Sequence, residues 1–206
     1  ELDKKTQTGT LTEIWKNNFF LSLVPMGLFN YGGLFAIQTL WAGPWMVRVS
    51  GYTPEESAKG LFMIYFFMLI SFLIWGYFVP KISKNINDAI KLIKLGTPLS
   101  LIILGFIIYL GPDAGSIHWT LFVVGSIFLS LSQPAVGMAF SLSNAGKALT
   151  SFNLLLFVGA FFVQWIMGII IDLSMNFNFS EIASFKLAMT FVFISSLVSY
   201  LYFFVK

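Results

Sequence analysis

The chain has 206 residues, of which 57% are hydrophobic, 18% aromatic and only 10% charged, a balance far from that of an ordinary soluble domain. It has no cysteine, which excludes a disulfide framework and a thiolate metal site, and its net charge of +3 means little until it is placed along the chain.

A helix needs about 20 mainly apolar residues to cross a hydrocarbon core of about 30 Å. Six stretches contain no Asp, Glu, Lys, Arg or His: 17–47, 60–80, 95–112, 119–146, 148–171 and 187–205, of 31, 21, 18, 28, 24 and 19 residues. They are apolar all round, whereas a soluble helix carries a polar stripe at the 3.6-residue period. They also lack the alternating segments of about ten residues that mark a membrane barrel. An all-α membrane protein is predicted, with spans at about 17–47, 58–80, 95–112, 119–142, 148–172 and 185–205. Residues 1–16 form a tail before them.

The tail opens at Glu1 on polar residues, with neither an initiator Met nor a signal peptide in view, so the chain is expected to be a piece of a longer protein. Thr10 and Glu13 have the spacing of a capping box and predict a short interfacial turn into span one. That span is interrupted by Pro25, Gly27, Gly32, Gly33, Gly43 and Pro44. On a regular helix Tyr31 and Gln38 share a face, and Trp41 follows one turn further on. Span two should begin at Thr53-Pro54-Glu55-Glu56, where Thr can cap, Pro suits the first helical position and Glu56 completes a capping box.

His118, the single histidine, falls in a short loop after Asp113, as a solvated residue; one His cannot supply both axial ligands of a bis-His haem. Span four carries Gln133-Pro134 and Gly137, with Ser126, Ser130, Gln133 and Gly137 forming a small and polar stripe. In span five Asn153 and Gln164 share a face. Polar groups in hydrocarbon need partners or water, so these stripes are expected to point into the bundle or a cavity. Asn178-Phe179-Ser180 matches a glycosylation acceptor, a pattern common by chance.

If span one starts in the cytoplasm, the inside segments hold Lys4, Lys5, Lys16, Lys81, Lys84, Lys91, Lys94, Lys147 and Lys206, against Arg48, Lys59 and Lys186 outside. This nine-to-three excess predicts both termini in the cytoplasm. No ionisable residue lies well inside any span, which argues against an intramembrane enzyme. Spans one and four occupy corresponding positions in a unit of two three-helix repeats, and paired Gly/Pro-interrupted spans point to a transporter binding site.

Two segments carry a family resemblance. Pro25-Met26-Gly27-Leu28-Phe29-Asn30-Tyr31-Gly32-Gly33, with Gln38-Thr39-Leu40-Trp41-Ala42-Gly43-Pro44-Trp45, resembles the seventh helix of bacterial major facilitator transporters. Gly146-Lys147-Ala148-Leu149-Thr150-Ser151-Phe152-Asn153 resembles the cytoplasmic turn between their tenth and eleventh helices, and Gly159, Gly168 and Asp172 the small face and end of the eleventh. The loop after span two departs from the family's G-x-x-x-D-R-x-G-R-R signature: Gly76, Lys81 and Lys84 remain, but Pro80 stands at the acidic position.

The resemblance implies helices seven to twelve of a secondary active transporter in the bacterial inner membrane. Its partners would be a lipid bilayer, a small polar or amphipathic solute and the N-terminal six-helix half; no cofactor and no nucleic acid is implied. The expected substrate site comprises Tyr31, Gln38, Trp41, Gln133, Asn153 and Gln164 around one cavity between spans one, four and five, with Gly76, Lys81 and Lys84 as a gating loop. The alternative is a self-contained six-helix channel or an oligomeric membrane scaffold, although the paired Asn-Pro-Ala loops of aquaporin-like channels are missing.

Overall fold

The structure, a computed structural model, describes residues 11–206, which are helical nearly throughout. Six helices are long and apolar enough to cross a membrane: α1 (Asn18–Arg48), α2 (Pro54–Ile82), α3 (Ile86–Asp113), α4 (Ser116–Met138), α5 (Leu142–Asn176) and α6 (Glu181–Val205). Helices satisfy their backbone groups internally, as lipid requires, and this set fits a multi-pass membrane protein. The described end of the tail is one helical turn, Leu11–Ile14, followed by Asn17, whose side chain accepts the Phe20 N–H at 3.0 Å and starts α1. Thr10 lies outside the described residues.

Side-chain caps start most of the other helices. At α2 the Glu56 N–H donates to Thr53 Oγ1 at 3.2 Å and the Thr53 N–H donates to Glu56 Oε2 at 2.8 Å, a complete capping box with Pro54 in the first turn. Asn85 caps α3 through the Asp88 N–H, and Ser180 caps α6 through the Ala183 N–H. His118 also closes a helix start: its Nδ1 accepts the Gly115 N–H at 3.2 Å.

The helices outrun the charge-free stretches. α3 already contains Asp88, Lys91 and Lys94, so only residues 83–85 join it to α2. α5 begins at Leu142 and takes Gly146 and Lys147 into its first turns, where the sequence reading had a connecting turn. A charge limits the part of a helix that lies in hydrocarbon, but Lys is a good helix former and does not stop the winding.

α1 packs along α5 and α6 and meets α2; α4 packs along α2 and α3 and meets α5; α3 and α6 pack together, as do α5 and α6. α1 and α5 cross with their backbones in contact: a Cβ placed on Gly32 would lie 2.5 Å from the Gly159 carbonyl carbon, and one on Gly159 would run into the Leu28 carbonyl. Small residues of this kind let membrane helices approach backbone to backbone. Asn30, buried on α1, clamps α6: its Nδ2 donates to the Ser196 carbonyl at 3.0 Å and to Ser199 Oγ at 2.6 Å. In return Ser196 Oγ donates to the Phe29 carbonyl at 3.1 Å.

Contacts between connections identify the two ends of the bundle. At one end Arg48 pairs with Glu181 at 3.4 Å, while Trp45 Nε1 and Ser50 Oγ both donate to the Ala114 carbonyl, at 3.1 and 2.8 Å. At the other, Asn144 Nδ2 donates to Glu13 Oε2 at 3.1 Å and Lys94 Nζ to the Phe204 carbonyl at 2.8 Å.

Candidate functional site

Two of the six helices depart from regular α geometry within their length, while α3 only ends in a 3-10 turn at Gly111–Asp113. α1 winds as π turns over Met26–Tyr31 and Ile37–Trp41, and α4 tightens to a 3-10 helix over Ser126–Leu131. The prolines help to set this up. Pro25, Pro44 and Pro134 have no N–H for the carbonyls of Leu21, Leu40 and Ser130, so the α ladder is broken at each of those points. Ser126 and Ser130 turn their hydroxyls back onto the chain, donating to the Phe122 and Ile127 carbonyls at 2.7 Å each, a habit that bends helices.

These irregular segments line one cavity of about 130 Å³ between α1, α2 and α4. Tyr31 and Gln38 reach it from the two π turns, Ser126, Ile127 and Ser130 from the 3-10 segment, and Ser71 from α2. Leu34, Phe35, Met68, Phe72, Val123 and Val124 complete the wall, and no charged side chain is part of it among the described residues. The Tyr31 ring rests against Phe35, with centroids 5.2 Å apart. Ser130 Oγ accepts the Trp75 Nε1–H at 3.1 Å. Gln38 is only 7% exposed, and among the described residues its buried Oε1 has no hydrogen-bond partner. Its main-chain carbonyl is used, accepting the Tyr65 hydroxyl at 2.8 Å.

The other four expected site residues do not line this cavity. Trp41 lies edge-on to Phe185 of α6, centroids 6.0 Å apart, beside Gly168 of α5. Gln133 Nε2 donates to Asn153 Oδ1 at 3.0 Å and joins α4 to α5. Gln164 Nε2 donates to Thr39 Oγ1 at 2.9 Å and joins α5 to α1. The sequence reading assumed a regular helix, on which Trp41 follows Gln38 by one turn. The i→i+5 bonds of the π turn add a residue per turn, which rotates later positions by roughly 100°.

α2 rather than α5 supplies the third wall of the cavity. Its Ser71 lines the cavity without being among the expected site residues. The available signal was that Ser71 is the one Ser or Thr in the stretch 60–80.

In the expected gating loop, a Cβ on Gly76 would meet open space, and the Lys81 ammonium sits 3.4 Å above the Tyr77 ring. The Lys84 N–H donates to Asp88 Oδ2 at 3.0 Å. A carboxylate therefore reaches this loop from α3, although Pro80 occupies the position where the signature has an acid.

No protein-family model, no curated protein and no solved structure matches the chain.

Proposed function

We propose that the chain is the C-terminal six-helix half of a secondary active transporter of the major facilitator type, moving a small polar or amphipathic solute by alternating access. The observation that carries this reading is the convergence of the π turns of α1 and the 3-10 segment of α4 on one polar, partly aromatic cavity. Local π and 3-10 winding re-satisfies backbone groups that Pro frees at membrane depth, and repeat-built transporters place interrupted helices at corresponding positions around the site. α1 and α4 are the first helices of two successive three-helix units.

The packing supports the repeat. Exchanging α1 with α4, α2 with α5 and α3 with α6 turns the α1–α5 contact into α4–α2 and the α1–α6 contact into α4–α3, and leaves α3–α6 in place. The α5–α6 contact has no equally extensive counterpart. α2 and α5 bury the least of their apolar windows, as expected of helices that a second half would cover.

Charge supports the orientation. Arg48, Lys59 and Lys186 mark one end, while Lys16, Lys81, Lys84, Lys91, Lys94, Lys147 and Lys206 mark the other. The second end is assigned to the cytoplasm of a bacterial inner membrane, both termini included. Transport requires no catalytic side chain of this half, and none is assigned.

Solute counterflow in proteoliposomes with the full-length protein tests the reading. Saturable counterflow that needs both halves supports it. Saturable flux through the 206-residue chain alone would replace it with a self-contained channel.

A further inference from the structure

We infer that a pocket at the cytoplasmic end of α1, α3 and α6 holds the phosphate of an anionic phospholipid from the cytoplasmic leaflet. The choice of leaflet rests on the orientation proposed above, but the binding chemistry follows from the pocket itself.

The pocket has a volume of about 200 Å³. α1 brings Asn18 and Phe19 to it, α3 brings Ile90 and Lys94, and the end of α6 brings Phe203 and Lys206. Both charged side chains in its wall are cations, and no acidic side chain is part of it among the described residues. Their charge is not used within the bundle. The ion pairs Arg48–Glu181 and Lys59–Glu55 lie at the other end, and neither Lys94 nor Lys206 pairs with a side-chain carboxylate among the described residues. At this end the described acids are Glu13 and Asp88, which accept from the Asn144 amide and the Lys84 N–H instead.

Lys94 is also held in place. Its half-buried side chain donates one proton to the Phe204 carbonyl at 2.8 Å, and the ammonium lies 5.6 and 5.3 Å from the Phe203 and Phe204 ring centroids. Two N–H donors remain for an anion. An ammonium tethered in this way has less rotamer freedom to lose on binding than a free surface lysine.

A soluble phosphate ester and a phospholipid present the same anion, and the surroundings favour the lipid. An apolar groove of about 230 Å³ lies between α3 and α6, lined by Pro98, Ile102, Gly105, Phe193 and Tyr200 among others. Pro98 is one turn beyond Lys94 on α3, and Tyr200 is one turn before Phe203 on α6. The Tyr200 hydroxyl donates to the Lys94 carbonyl at 2.8 Å, so groove and pocket adjoin at that residue. A phosphate at Lys94 therefore has a seat for an acyl chain next to it. Basic pockets between membrane helices at the cytoplasmic face suit anionic headgroups, each lysine being worth about fivefold in affinity.

Native mass spectrometry of the detergent-solubilised full-length protein provides the test. The probes are phosphatidylglycerol, phosphatidylcholine with the same chains, and soluble glycerol 3-phosphate. Phosphatidylglycerol should bind saturably and about tenfold tighter than phosphatidylcholine, whose own ammonium already neutralises its phosphate, while glycerol 3-phosphate should compete poorly. Lys94→Gln, which keeps an N–H donor for the Phe204 carbonyl, should lower phosphatidylglycerol affinity about fivefold. Lys206→Gln, at an exposed position, should act in the same direction and decides the matter if Lys94→Gln does not fold. Lys91→Gln, on α3 but outside the pocket, should change the affinity by less than about twofold, because solvent screens that charge.

Equal affinity for the two lipids, no saturable lipid binding, glycerol 3-phosphate binding as tight as the lipid, or equal losses from Lys91→Gln and Lys94→Gln overturns the inference. Counterflow by the full-length protein under those outcomes would leave the transporter reading standing. Selective phosphatidylglycerol binding without any counterflow would do the reverse.

Discussion

Gly32 on α1 and Gly159 on α5 lie at one backbone-to-backbone crossing: a Cβ on Gly32 would run into the main chain of Gly159 and Ala160, and one on Gly159 into the main chain of Leu28. Because the atoms in the way are main chain, they cannot rotate aside. Gly159→Leu or Gly32→Val should destabilise the bundle by about 3 kcal/mol or more, at or beyond the top of the usual overpacking range. Gly76→Ala and Gly146→Ala should instead stabilise by about 0.5–1 kcal/mol, the ordinary helix gain, since a Cβ at either meets nothing within 4 Å. Detergent-induced unfolding followed by circular dichroism separates the two classes. A tolerated Gly159→Leu would mean that the α1–α5 crossing is looser than described.

Asn30 is the polar counterpart of that crossing. Its two hydrogen bonds to α6 are buried, so Asn30→Leu should remove about 1–3 kcal/mol of stability by leaving α6 oxygens without their donor. Thermal unfolding measures it. Asn30→Leu with an unchanged midpoint would show that water or a shifted helix replaces the amide.

Replacing Gln38 by Leu in the full-length protein should weaken solute affinity by about 1–3 kcal/mol while changing expression less, whereas Gln133→Leu should act on stability by a similar amount. The two differ in origin. Gln38 loses the amide that it contributes to the cavity wall, whereas Gln133 loses its bond to Asn153 and leaves that amide unpaired. A double-mutant cycle of Gln133 with Asn153 should therefore show coupling, and one of Gln133 with Gln38 little. Unaltered uptake in Gln38→Leu would remove that residue from the solute path, and an unaltered unfolding midpoint in Gln133→Leu would show that the α4–α5 link carries no stability.

Topology has a clean assay because the chain contains no native Cys. A Cys at Ser83, between α2 and α3, should resist an impermeant thiol reagent in intact cells and react after permeabilisation. A Cys at Glu55, exposed in the first turn of α2, should react without permeabilisation. Labelling of Ser83→Cys from outside would invert the orientation drawn from the lysines.

Six helices were legible because 20 or so uncharged residues in a row have few other uses, and the start of α2 was legible because Thr53, Pro54 and Glu56 each favour that geometry. Helix ends were harder to read. Lys91, Lys94 and Lys147 mark where apolar composition stops, while Asn85 and Ser180 mark where helices begin. The breaks in α1 and α4 could be anticipated from Pro and Gly, but not their form. A π turn leaves no signature in spacing, yet it decides that Gln38 faces the cavity while Trp41 turns to Phe185. Asn30 was equally opaque, since an amide in an apolar run reads the same whether it faces a solute or a serine on another helix.

The paired donation of Trp45 and Ser50 to one carbonyl, that of Ala114, has a mechanical side. It rivets the end of α1 to the α3–α4 connection through two independent side chains, and the Trp45 ring is fully buried behind it. At the opposite end the links from Gln133 to Asn153 and from Asn144 to Glu13 are single and solvent-exposed. Among the described residues only α3 and α6 are tied twice at that end, by Lys94 Nζ to the Phe204 carbonyl and the Tyr200 hydroxyl to the Lys94 carbonyl, so α4 and α5 are the helices free to splay there like the ribs of a fan.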